Sequence, residues 1–233
     1  MDANQIRNKY TGETVDNYDA KRKQSDKWIN EQHAVELLIN KAASNSDIHK
    51  LLDIPVGTGR FFDLYTRFNL EVVGADVSDD MISKSREKVN KEFRFVNISI
   101  QYGDLLKCSN IDMKPDIVVC IRLLNWFSFD EVREVMNNIV ELNAEYAIIG
   151  IRTQSDQEAG FKKNLWLLQA QIISRLLNPT AQNKYSVNIH PENEFKQILQ
   201  RHFNIKHKVL VNVGTSTKNF ESKYYIYLLQ ITN

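Results

Sequence analysis

Two glycines, three acids and one arginine have types and spacings suited to ligand chemistry. Gly57 and Gly59 follow the apolar run Leu51-Leu52-Asp53-Ile54-Pro55-Val56 and lead into an amphipathic stretch. A glycine turn between a strand and a helix lets backbone approach a ligand closely. Asp53 lies inside that first run, and Asp76 closes the next, Glu71-Val72-Val73-Gly74-Ala75-Asp76, where an acid can hold a ribose diol. Asp104 follows Gly103 after a third run, and Arg122 directly follows Val118-Val119-Cys120-Ile121. Chemistry of this kind suits a nucleoside cofactor held at the carboxyl end of a parallel sheet.

The elements that would position these residues alternate regularly. Short apolar runs predict strands at 50–55, 71–77, 98–103, 116–121 and 146–151, and amphipathic spacing predicts helices at 58–68, 79–92 and 129–142. Ser25 caps a first helix from Asp26 to about Ala42, and Ser128 with Glu131 forms a capping box for the third of the alternating helices. Beyond Gly150, Phe161, Leu165, Leu168, Ile172 and Leu176 recur at helical spacing and predict an inserted helix that Asn178-Pro179 stops. His190-Pro191 opens a further helix with Pro191 at its first position. Two late strands, near 205–213 and 223–231, are expected as an antiparallel pair. The fold class is therefore α/β: a doubly wound, Rossmann-like, seven-stranded, mostly parallel sheet with an antiparallel last strand. A single domain is expected, divided into an amino-terminal lid and helices (1–45), a cofactor-binding core (46–152), an inserted lid helix (153–190) and a last helix with the strand pair (191–233).

Two cofactor classes share the first half of this pattern. A nicotinamide enzyme needs G-x-G-x-x-G, and here the third glycine position is Phe62. The chain instead resembles the class I S-adenosylmethionine-dependent methyltransferases, of the small-molecule type. Asp53 to Gly59 is similar to the family's first motif, D-x-G-x-G-x-G, with Pro55 in place of the first glycine. Asp76-Val77-Ser78 with Met81, the step Gly103-Asp104-Leu105, and Pro115-Asp116-Ile117-Val118-Val119-Cys120 resemble the landmarks that follow. The resemblance covers about residues 45–155 and implies S-adenosylmethionine as cofactor. It also implies roles. Gly57 and Gly59 pass beneath the methionine part, with Asp53 near its ammonium group. Asp76 accepts the ribose hydroxyls, and Val77 and Met81 wall the adenine. Asp104 accepts from the adenine amino group, with Leu105 beside it. Backbone around Cys120 and Ile121 reaches the ammonium. Tyr18, Arg22 and Trp28 fall where many family members carry an amino-terminal lid.

On the acceptor side the residues leave alternatives open. Arg122 is either paired with an acid or a clamp for an anionic substrate group, since a lone buried guanidinium is costly. Asn125 could orient the same substrate. Trp126 and Trp166 read as core or as substrate platform. His190 reads as a general base or as a cap. The glycines and acids, each taken singly, could merely form turns and caps.

Composition bounds the partners. A formal net charge of +1 provides no general field for nucleic acid or anionic membrane, so a small-molecule substrate is expected and neither of those partners. Cys108 and Cys120 are too few for a disulfide scaffold and fit a reducing cytoplasm. Isolated cysteines and scattered histidines offer no metal-ligand spacing. No apolar run approaches the ~20 residues of a membrane span. The expected reaction is methyl transfer to an oxygen or nitrogen of a small polar molecule. Competing readings are nucleic-acid or protein methylation, disfavoured by Arg122-Leu123-Leu124-Asn125-Trp126 in place of an N-P-P-Y motif; a non-catalytic cofactor-binding module; and a dehydrogenase.

Overall fold

A computed structural model describes residues 25–107, 110–111, 113–154, 188–215 and 221–232. The strands are β1 (Lys50–Asp53), β2 (Glu71–Asp76), β3 (Ile98–Tyr102), β4 (Ile117–Cys120), β5 (Tyr146–Gln154), β6 (His190–Pro191), β7 (Phe203–Thr215) and β8 (Glu221–Ile231). The helices are α1 (Asp26–Ala43), α2 (Phe62–Arg67), α3 (Asp79–Glu92), α4 (Phe129–Glu141) and α5 (Glu192–His202), with a 3-10 turn at Leu124–Trp126. The sheet runs β3-β2-β1-β4-β5-β8-β7. Its first five strands are parallel, and β8 runs antiparallel to both β5 and β7. This is the doubly wound sheet expected from the sequence.

Alternate strand residues feed two apolar layers. Leu52, Ile54, Val118, Cys120, Ala147 and Ile149 pack with Val132, Val135 and Met136 of α4 and Phe195 of α5. Leu51, Val72, Val119 and Ile148 pack on the other face with Val35, Leu38 and Ile39 of α1 and Phe62 and Leu64 of α2. Burial on both faces explains why these strands read as continuous apolar runs. The order reverses at β1, between β2 and β4, and ligands of such sheets bind at that crevice.

The expected caps form. Ser25 Oγ accepts from the Trp28 N–H, and the Ser128–Glu131 capping box is complete. Two boundaries differ from expectation. The helix expected at 58–68 begins only at Phe62, because Gly57 and Gly59 hold φ of +55° and +71°, outside helical space. His190 and Pro191 do not enter a helix. They form β6, paired in parallel with Thr153 and Gln154, and Pro191 caps α5 in an extended conformation. β8 pairs with β5 along its whole length, so β6 continues the other edge of β5 beyond the end of β4. Among the described residues the sheet accordingly has eight strands, with β6 only two residues long. The inserted helix expected over 161–178, with Trp166, lies outside the described residues, as do Tyr18, Arg22 and Cys108.

Candidate functional site

The site forms where β1, β2 and β4 end. Asp53 is the last residue of β1 and is buried, and its Oδ2 has no hydrogen-bond partner among the described residues. Burial pushes its pKa up to about 8. Tyr65 and Arg60 oppose the shift, and the neighbouring Asp76 charge adds to it. The Tyr65 hydroxyl acts on this carboxyl, and has no aligned hydrogen-bond partner among the described residues.

Asp76 ends β2 and is bound into the glycine turn. Its Oδ2 accepts from the Gly57 N–H at 3.0 Å, and its Oδ1 from the Ser78 N–H at 2.9 Å. Burial raises its pKa, and N–H groups of Ser78, Gly57 and Val77 pull against that rise. One acid thus fixes both the glycine loop and the entry to α3, whose Ser78 cap accepts from the Met81 N–H. Met81 is buried and Val77 is half-buried against the core.

The glycine turn has two distinct sides. A Cβ on Gly59 would lie 2.1 Å from the buried Phe62 ring, whereas a Cβ on Gly57 would meet nothing within 4 Å. Gly59 is thus held by packing, and Gly57 faces open space. Lys88 of α3 steadies the turn by donating to the Gly59 carbonyl at 2.9 Å. Gly57→Ala should cost about 1–2 kcal/mol of stability through its left-handed backbone alone, measurable as a lowered melting temperature without ligand.

Asp104 stands after β3. Its Oδ1 accepts from the Leu106 N–H at 3.0 Å, and its Oδ2 is buried without a partner among the described residues. Leu105 is buried beside it, and Asn138 of α4 donates to the Leu105 and Leu106 carbonyls at 2.9 Å each. Ile121 is buried at the end of β4. The structure therefore brings Asp53, Gly57, Gly59, Asp76, Asp104 and Ile121 to one edge of the sheet. Two buried carboxyl oxygens there, Asp53 Oδ2 and Asp104 Oδ2, have no hydrogen-bond partner among the described residues.

Beside this cradle lies a cluster that sequence reading missed. Glu31 of α1 is wholly buried and pairs with Arg60, which follows Gly59, and with Arg122, which follows β4. Arg122 Nε donates to Glu31 Oε1 at 3.0 Å. Burial pushes the Glu31 pKa up, but the two guanidiniums outweigh it and hold the acid below the usual carboxylate range. The Arg60 guanidinium also donates to the Trp28 carbonyl and stacks 3.6 Å from the Trp28 ring centroid. The Arg122 guanidinium lies 5.2 Å from the same ring, on a backbone with φ of +65°. Trp28, expected at a lid, thus lies over two arginines. The signal for Glu31 was present: it sits at helical spacing with Trp28, Val35 and Leu38, as a charge on the apolar stripe of α1.

The remaining candidates occupy structural positions. Asn125 is buried, donates to the Arg152 and Asn188 carbonyls at 3.0 and 2.7 Å, and accepts from the Arg152 N–H at 2.8 Å. Trp126 is half-buried against the core. His190 is 3% exposed, with its Nε2 3.2 Å from the Leu124 carbonyl and its ring beside Phe129. Burial lowers its pKa, and the Leu124 contact opposes that. Asn125 and His190 therefore join the end of β4 to β5 and β6. Among the described residues no cluster of His, Cys, Asp or Glu could hold a metal ion, and no helix is long and apolar enough to cross a membrane.

Residues 51–144 match the family model described as a methyltransferase domain. No curated protein matches the chain. Solved structures share its fold at low identity. Magnesium protoporphyrin IX methyltransferase (ChlM) from Synechocystis PCC 6803, with bound S-adenosylhomocysteine, is 16% identical, with 97% of this chain and 99% of that one covered and a TM-score of 0.67. An S-adenosylmethionine-dependent methyltransferase from Clostridium acetobutylicum ATCC 824 is 13% identical, with 99% of each chain covered and a TM-score of 0.61. The PH0226 protein from Pyrococcus horikoshii OT3 is 19% identical, with 90% and 93% covered and a TM-score of 0.60. The sheet order and the acids ending its strands agree with these matches: the chain has the fold of S-adenosylmethionine-dependent methyltransferases, and residues 51–144 are similar to a methyltransferase domain.

Proposed function

We propose that this chain is an S-adenosylmethionine-dependent methyltransferase acting on an oxygen or nitrogen of a small polar molecule that carries an anionic group. The supporting observation is the cationic cluster beside the cradle. Three guanidiniums, of Arg60, Arg122 and Arg152, gather around the single carboxylate of Glu31 among the described residues. Among the described residues Arg152 takes neutral hydrogen-bond partners, Ser222 Oγ at 3.0 Å and Asn212 Oδ1 at 3.1 Å, and shares the Glu31 charge with the other two guanidiniums. A positive surface at the end of β4 and β5 favours carboxylate or phosphate on the acceptor.

The residues fit the cofactor. Asp53 Oδ2 and Asp104 Oδ2 are buried acceptors without partners among the described residues, and the space beside Gly57 would be lost to a side chain. Asp53 would hold the ammonium group and Asp104 the adenine amino group. Asp76 would accept the ribose hydroxyls on lone pairs its N–H donors leave open, while Val77, Met81 and Leu105 would enclose the base. Ile121 backbone would line the methionine part. The bound cofactor supplies an electrophilic methyl on sulfur. The protein aligns the nucleophile with it and excludes water. Arg122 would anchor the acceptor, with Asn125 and His190 as positioning residues that hold the end of β4. Trp126 would border the acceptor. Tyr18 and Arg22 lie outside the described residues.

Proton linkage offers a test of the Asp53 role. A buried carboxyl with pKa about 8, against an ordinary 3.8, favours the folded state when protonated, and that advantage is lost as pH rises from about 4 to about 8. An ammonium group on Asp53 requires the carboxylate. Binding of S-adenosylhomocysteine at pH 7 should therefore release up to about one proton. Calorimetry in buffers of different ionisation enthalpy measures this, and Asp53→Asn should abolish it.

The acceptor class is tested by following methyl transfer from labelled S-adenosylmethionine to a panel of small carboxylates, phosphates and their neutral analogues. Turnover confined to anionic acceptors, with Arg122→Lys raising the acceptor KM roughly tenfold, supports the reading. Equal turnover of neutral analogues contradicts it.

A further inference from the structure

We infer that Glu31 is a positioning residue that couples docking of helix α1 to occupation of the cofactor cradle. The inference rests on the cofactor reading above and extends it to a residue outside the family's motifs. Arg60 is the physical link. It follows Gly59 directly, so its backbone belongs to the turn that must bear on the ligand. Its guanidinium reaches away from the cradle to Glu31 and to the Trp28 carbonyl, both on the first turns of α1. Its Nε is buried and has no partner among the described residues, and its charge acts on both Asp53 and Tyr65. One guanidinium thus touches α1 at one end and feels the cradle carboxyl at the other.

Glu31 makes this link obligatory. Without an acid between them, Arg60 and Arg122 would place two like charges under one indole ring, and neither could remain buried at that spacing. The α1 helix supplies that acid from its buried stripe, so a change in either arginine is transmitted to α1. A ligand ammonium on Asp53 would fix the carboxylate and draw on the neighbouring Arg60 charge. The glycine turn would settle against the ligand, and Arg60 would carry that order to Glu31. By reciprocity, an undocked α1 would weaken cofactor binding by the same factor.

Amide hydrogen exchange of the full chain, read over residues 26–36 with and without S-adenosylhomocysteine, tests the coupling. In the wild type the ligand should slow exchange there roughly tenfold, a coupling of about 1.4 kcal/mol. Glu31→Gln keeps the side-chain shape and should still bind S-adenosylhomocysteine in calorimetry, more weakly, with the slowing lost. If Glu31→Gln does not fold, Glu31→Asp, which keeps the charge but withdraws it by one methylene, replaces it in the same comparison. A merely structural acid would alter the melting temperature but leave the ligand-dependent slowing intact in the folded variant. Ligand binding to the wild type without slowing over 26–36, or full slowing in the variant, would overturn the inference. Absence of binding to the wild type would overturn the cofactor reading itself, and calorimetry separates that result from a failed coupling.

Discussion

Asp76→Ala should weaken binding of S-adenosylhomocysteine by roughly 1–3 kcal/mol, about ten- to a hundredfold in the dissociation constant. Two losses combine. The side chain would no longer offer acceptors to the ribose hydroxyls, and the Gly57 and Ser78 N–H groups would lose the oxygens they now donate to at 3.0 and 2.9 Å. The second loss loosens the glycine turn and the start of α3 even without ligand. Asp76→Asn separates the two contributions, since its single carbonyl oxygen can still serve one backbone donor. Calorimetric titration of wild type, Asp76→Ala and Asp76→Asn should give affinities falling in the order wild type, Asn, Ala. Unchanged affinity in Asp76→Ala would remove Asp76 from the cofactor site.

Glu31→Ala should destabilise the fold by about 3–5 kcal/mol, the usual cost of removing one partner from a buried ion pair. The physical reason is charge and not lost contact area. Arg60 and Arg122 would remain close together with no carboxylate between them, and Arg60 is itself largely buried. For a chain of this size the melting temperature should drop by on the order of 10 °C. The paired change Glu31→Gln with Arg60→Gln should recover part of that loss, because the uncompensated buried charge leaves with its partner. A Glu31→Ala protein that melts like the wild type would show that solvent already screens the pair.

The sheet and the cofactor cradle were legible in the sequence for a common reason. Each depends on local pattern: apolar runs for strands buried on both faces, glycine where φ must be positive, and an acid at a strand end. Asp53, Gly57, Gly59, Asp76 and Asp104 all belong to such patterns and gather at the carboxyl ends of β1, β2 and β3. The cationic cluster was not legible, because it joins residues far apart in the chain. Glu31 lies 29 residues from Arg60 and 91 from Arg122, and only the packing of α1 across the sheet brings them together. Sequence reading left Arg122 between an ion pair and a substrate clamp, and the structure provides the pair. His190 misled as a helix opener because an X-Pro step suits both a helix start and an extended residue. Its pairing with Thr153 is a tertiary contact that no local pattern encodes.

The most direct measurement is a calorimetric titration of the purified chain with S-adenosylmethionine, S-adenosylhomocysteine and NAD in parallel. One site for each sulfur nucleoside, at micromolar affinity, with no heat from NAD, is the expected result. Binding of NAD alone, or of none of the three, would contradict the assignment of the cradle formed by Asp53, Gly57, Asp76 and Asp104.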